Sequence, residues 1–246
     1  MRSLASPGAF HTTQWSVVLA AGGIDADTIA AETALADLCG RYWYPIYAFT
    51  RRKGHSPEDA KDLTQGFFEH LLEKQTLERA HPEKGRFRSF LLGALKNYIS
   101  VVHRKEGAAK RGGGVPKISI DEEFGENRYQ IEPETQDTPE TLYAKSWAQS
   151  LLDEVECRLQ ETYARAGQAD LTKALHPYLA GTEDAAPYSA TADELGITVS
   201  AVTSAVHRYR KAYRELLRST IAETLSPSED IDDELRFLIT TLQAGA

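Results

Sequence analysis

Asp59, Asp62 and His70, in the stretch GHSPEDAKDLTQGFFEHLLEK, are side chains of the types that hold a divalent cation or move a proton during phosphodiester cleavage. They fall on a regular solvated helix with neither a glycine-rich phosphate loop nor a paired metal motif beside them, so that chemistry is not expected. Cys39 and Cys157 stand far apart with no second Cys or His at ligand spacing. Neither a zinc site nor a disulfide framework follows from them, and both are expected to be reduced core thiols. The chain is therefore expected to have no catalytic centre, no metal and no cofactor, and its residues point to binding instead. From Lys84 to Lys117 there are nine Lys or Arg against one acid, and from Arg208 to Arg218 five against one. Between them, Asp121 to Glu140 holds eight acids against one base. A formal net charge of -8 over 246 residues excludes a protein that simply coats nucleic acid, but two segregated basic runs predict two surfaces that face a polyanion.

Helices must aim those side chains. Period-two alternation is almost absent and apolar residues recur three and four apart, which predicts an all-α chain. The Gly-rich basic GAAKRGGGVPKIS and the acidic DEEFGENRYQIEPETQDTPET break the pattern and cannot bury enough apolar surface to order themselves. Residues 109–141 are therefore expected to be a flexible acidic linker between two helical domains, 29–108 and 142–225, with a lead-in over 1–28 and an acidic tail over 226–246. Within the tail, ELRFLITTLQ could form a packing or partner-binding helix, or the tail could be disordered. The N-terminus, MRSLASPGAF, has one Arg and no apolar run, which points to a cytoplasmic protein with no membrane partner.

In the first domain, Ser56 is the expected N-cap, Pro57 the first helical residue and Asp59 a first-turn acid. Ala60, Leu63, Phe67, Phe68, Leu71 and Leu72 then share one half of the wheel. Asp62, Gln65, Glu69 and Glu73 share the other, either as a plain solvated face or as a stripe for a basic partner. In RFRSFLLGALKNYISVVHRK, the expected buried side is Phe87, Phe90, Leu91, Ala94, Leu95, Tyr98 and Val101. Arg86, Arg88, Lys96, Asn97, His103, Arg104 and Lys105, with Ser89 and Ser100, are the candidates for phosphate contacts.

In ADELGITVSAVTSAVHRYRKAYREL, Gly196 has Ala192 four residues before it and Val202 six after it, the spacing of a helix-turn-helix. Thr198 caps the second helix, and Val202, Val206, Tyr209, Tyr213 and Leu216 form its core arc. Its leading turns offer Ser200, Thr203, Ser204 and His207 to base edges or phosphates. Arg208, Arg210, Lys211, Arg214 and Arg218 follow as backbone contacts.

Taken in order, DAKDLTQGFFEHLLEK, RFRSFLLGALKNYISVVHRKEGAAKRGGG, a linker and ADELGITVSAVTSAVHRYRKAYREL resemble a bacterial RNA polymerase sigma factor of the extracytoplasmic-function type. FHTTQWSVVLAA and GRFRSFLLGALKNYI resemble a subgroup with an extended C-terminal domain. The resemblance spans Phe10 to about Leu225. It implies a promoter-specificity subunit that binds core RNA polymerase and promoter DNA and assists its opening, with an inhibitory anti-sigma protein as a further partner. It further implies that Asp62, Gln65, Glu69 and Glu73 meet the polymerase, that the Arg86 to Lys105 set captures the melted strand, and that Ser200 to Arg218 read the upstream element. The linker would thread the polymerase channel. A free-standing helix-turn-helix regulator is the alternative. RLQETYARAGQADLTKALHPYLAGTEDAAPYSAT and the acidic tail exceed the compact form of the family's second domain.

Overall fold

The computed structural model describes residues 28–72, 85–106, 126–129, 137–179, 186–226 and 228–244, with side chains described from Cys39 onward and not for Leu72, Lys105 or Glu106. The chain is all-α: no strand occurs among the described residues. The helices are α1 (Thr28–Arg52), α2 (Pro57–Leu72), α3 (Phe87–Glu106), α4 (Pro139–Arg165), α5 (Ala169–Leu175) leading into a 3-10 turn (His176–Tyr178), α6 (Tyr188–Leu195), α7 (Val199–Ala222) and α8 (Ile231–Gln243). No described helix is long and apolar enough to cross a membrane.

Two compact units divide the chain, Met1–Ser150 with Ile221–Ala246, and Leu151–Thr220. The sequence partition placed residues 142–225 together, whereas the units separate the first turns of α4 and everything after Thr220 from the helix pair of α6 and α7. The apolar residues of α4 account for this: Leu142, Tyr143, Trp147 and Ala148 are buried in the first unit, and Leu151, Val155 and Leu159 in the second. Of the expected linker, residues 109–125 and 130–136 lie outside the described residues, as do the lead-in 1–27 and Glu73. Residues 126–129 form a helical turn on α1, where Glu126 accepts from Arg51 Nε and Nη2, both at 3.1 Å, and from the Tyr47 hydroxyl.

In the first unit, α2 starts as its sequence dictates. Ser56 Oγ accepts from the Asp59 N–H at 3.1 Å, and Glu58 and Asp59 occupy the first turn. Ala60, Leu63, Phe67, Phe68 and Leu71 are buried. The facing side of α3 buries Phe87, Leu91, Leu95 and Ile99, a row spaced by four. Val101, expected inside, is 40% exposed, because continuing that row by two more residues carries it around to the solvent side. Phe90, Ala94 and Tyr98 are half-buried at the edges. Close approach of α2 and α3 is set at Gly66: a Cβ there would run into the Tyr98 hydroxyl, while the ring's Cζ lies at an ordinary 3.5 Å. Tyr98 is held by His70, stacked at 5.3 Å, and Phe67 at 5.9 Å.

The tail forms α8. Asp230 caps it by accepting from the Asp232 N–H at 2.7 Å, and Asp232, Asp233 and Glu234 fill its first turn. Glu234 and Leu238 are buried, with Ile231, Leu235 and Phe237 half-buried.

The second unit closes around Leu159, Leu175, Tyr178, Ala192, Val202, Ala205, Val206 and Tyr209, with Tyr213 and Leu216 packed against this cluster. Cys157 lies on the solvent side of α4, with Sγ 3.7 Å from Glu161 Oε1, so it is not the core thiol the sequence suggested; Cys39 is. Burial pushes the Cys39 thiol up to about 11.

Burial, then the neighbouring Tyr163, Glu156 and Tyr213, push the Tyr209 hydroxyl from near 10 up to about 12, and burial with Glu156 and Asp153 does the same to Tyr213. Both phenols thus keep their protons in the folded chain at a pH where the unfolded chain loses them. Their contribution is complete below pH 10 and is lost progressively as pH rises toward 12. Denaturant titrations from pH 9 to 12 should show this fall, and Tyr209→Phe should reduce its slope. The same variant should hold or gain stability at neutral pH, because the buried Tyr209 hydroxyl has no hydrogen-bond partner among the described residues.

Candidate nucleic-acid interface

Among the described residues each unit carries a basic helix, and in each the cations divide into those held inside the protein and those turned to solvent. On α3 the division falls at the helix start. The Glu234 side chain, 1% exposed, accepts from Arg88 Nε at 2.8 Å and Nη2 at 3.1 Å, and pairs with Arg86 Nη1 at 2.5 Å. Arg86 also lies 3.8 Å from Glu229. The Arg88 guanidinium sits 3.8 Å from the Phe237 ring centre and 5.0 Å from that of Trp147, and its carbonyl accepts from the Tyr143 hydroxyl at 3.0 Å. A guanidinium held by a bidentate carboxylate and two aromatic faces is a structural element. Arg86 and Arg88, placed by sequence in the strand-capturing set, are thus engaged by the tail helix.

Farther along α3, Lys96 pairs with Glu140 at 2.8 Å, both 44% exposed, and this hydrogen bond holds the Glu140 carboxyl below its usual value. Such an exposed pair contributes little and exchanges readily for another anion. Asn97, Ser100, His103 and Arg104 are exposed, with Arg104 Nε donating to the Ser100 carbonyl at 3.1 Å. Gly93 lies in this exposed arc with nothing within 4 Å of where a Cβ would stand. On α2, Asp62 is exposed and Gln65 Nε2 donates to Glu69 Oε1 at 3.3 Å, both half-buried. Lys105 lies on α3 but its side chain, like Glu73, is outside the described ones.

In the second unit, α6 and α7 are joined through Gly196, whose φ of 63° takes the left-handed region that glycine enters without strain. The Ile197 N–H donates to the Ala192 carbonyl at 3.0 Å, and Ala192 and Val202 are buried on either side. Thr198 Oγ1 accepts from the Ala201 N–H at 3.2 Å, capping α7. Ser200, Thr203, Ser204 and His207 are exposed, as are Arg208, Lys211, Arg214 and Arg218. Lys211 pairs with Glu215 at 3.7 Å on the surface. Arg210 differs: its Nε donates to the Tyr178 carbonyl at 2.9 Å, tying α7 to the 3-10 turn.

Comparison with protein-family models, with curated proteins and with solved structures finds no match. Function must therefore be read from the residues themselves. Among the described residues no group of three or more His, Cys, Asp or Glu could hold a metal ion. Sequence reasoning missed the clamp on α3, whose parts Trp147, Glu234 and Phe237 are distant along the chain from Arg88. The one sequence signal was an acidic turn followed by apolar residues at helical spacing in the tail.

Breaking a buried pair leaves a charge without compensation, so Glu234→Gln should cost about 3–5 kcal/mol in denaturant unfolding. Combining Glu234→Leu with Arg88→Met should recover much of that loss, because both buried charges leave together.

Proposed function

We propose that this chain is a sigma-type promoter-specificity subunit of RNA polymerase, cytoplasmic and without a catalytic centre of its own. The observation that carries the reading is α7. Behind a glycine turn with a buried Ala192 and Val202, this helix exposes short hydroxyls and His207 in front and Arg208, Arg214 and Arg218 behind. The front suits base edges and the rear suits phosphates. Support comes from α3, whose exposed Asn97, His103 and Arg104 suit a separated strand, and from α2, whose Asp62 and Glu69 suit a basic partner surface. The family resemblance of these segments, in this order, names that partner as core polymerase.

Reconstituted transcription tests the reading. The purified chain should bind core polymerase and direct initiation from discrete sites, while reversing Asp62 and Glu69 to Lys should weaken core binding and leave the helical content unchanged. Sequence-specific duplex binding at physiological salt without core, and no binding to core, would instead make the chain a free-standing regulator.

The arginines of α7 separate by role. Arg208→Ala and Arg214→Ala should each lower the slope of log affinity against log salt by about one, across sequences alike. Arg210→Ala should leave that slope near the parent value and cost about 1.5–3 kcal/mol of stability, since its donor is committed to the Tyr178 carbonyl. A salt titration of the holoenzyme on one promoter duplex, beside thermal unfolding of each variant, distinguishes the two roles.

A further inference from the structure

Large apolar side chains exposed in the second unit gather at one place. Ile197 is 40% exposed and Val199 48%, on either side of the cap residue Thr198 at the leading end of α7. The core does not require them there, because Val202, Ala205, Val206 and Tyr209 already supply the buried arc of this helix. The hydroxyls beside them are partly committed to the helix itself. Thr203 Oγ1 donates to the Val199 carbonyl at 3.0 Å, and Thr198 Oγ1 accepts from the Ala201 N–H. The leading end therefore offers methyl groups more than hydrogen-bond donors, and no Arg, Lys, Asn or Gln occupies residues 197–204.

The later turns of the same helix indicate the occupant. Arg208 and Arg214 are exposed, and among the described residues no carboxylate pairs with either. A polyanion held along those turns would bring its grooved edge to the apolar end. In the major groove the group that answers an aliphatic side chain is the thymine C5-methyl, which the other bases lack.

Resting on the proposed role of α7 in duplex binding, we propose that Ile197 and Val199 are specificity-determining residues that read thymine methyl groups in the major groove. Selection by contact with methyls is shallow by nature: burying one such group contributes about fourfold in affinity.

Duplexes recovered by the holoenzyme from a randomised library, rebuilt with deoxyuridine in place of individual thymidines, test this directly. Removing the methyl at one or two positions should weaken binding about fourfold each. Val199→Ala or Ile197→Ala should give a similar loss on the thymidine duplex and little further loss on the deoxyuridine duplex, because side chain and methyl act on each other. Both residues are exposed, and unchanged circular dichroism would confirm that the variants fold. Full affinity for every deoxyuridine duplex, or losses that simply add, would overturn the inference while leaving duplex binding intact. Failure of the holoenzyme to retain any duplex would overturn the functional reading itself. Loss of core binding by Val199→Asp in the absence of DNA would assign the patch to a protein partner and overturn the inference as well.

Discussion

A carboxylate with 1% of its surface exposed, set against two guanidiniums, is the interaction on which the first unit depends. Removing Glu234 and Arg88 from water is costly, and their mutual attraction compensates only if geometry and remaining hydrogen bonds are satisfied. Here they are. Arg88 presents two donors to Glu234 and a face each to Phe237 and Trp147, and Arg86 closes the other side. The consequence is that α8 is an integral helix of this unit. It fixes the start of α3, and through the Tyr143 hydroxyl on the Arg88 carbonyl it ties α4 to the same point. A clamp of this kind specifies one arrangement, because any slip of α8 by a residue would bury the charges without their partners.

That constraint decides which part of α3 can face a partner. With its first two arginines committed, the exposed arc begins near Gly93 and runs through Lys96, Asn97, Ser100 and Arg104. The open space over Gly93 allows a backbone to come close, which a side chain would prevent. The same division operates on α7, where Arg210 is spent on the Tyr178 carbonyl and its neighbours Arg208 and Arg214 stay exposed. At both helices some arginines orient the element and others stay exposed to solvent.

Local rules carried much of this. The Ser56 cap, the Gly196 turn with Ala192 and Val202 buried around it, and the buried sets of α2 and α7 all follow from spacing within a few residues. What sequence reading could not reach were choices made at long range. A helical wheel gives Arg86 and Arg88 a polar side, but the carboxylate that occupies them stands 146 residues beyond Arg88. Ile99 is buried and Val101, expected inside, is not, because the packing row of α3 advances by four from Phe87. Cys157 is apolar by type, yet its place on α4 turns outward. The exposure of Ile197 and Val199 was equally hidden, since apolar residues beside a turn read as core until the core is seen to be full without them.

The net charge of -8 takes on a different meaning once pairs are assigned. Glu126, Glu140, Glu229 and Glu234 are engaged with Arg51, Lys96, Arg86 and Arg88, so part of the acid serves to neutralise cations within the first unit. Among the described residues no carboxylate pairs with Arg104, Arg208 or Arg214. Because the electrostatic part of duplex affinity grows with the number of phosphates neutralised, a net-acidic chain of the proposed kind would hold DNA weakly by itself. On the proposed reading that weakness is functional. A subunit that bound any duplex tightly would be distributed over non-specific sites, whereas one that supplies only orientation and shallow base selection acts where a larger assembly provides the affinity.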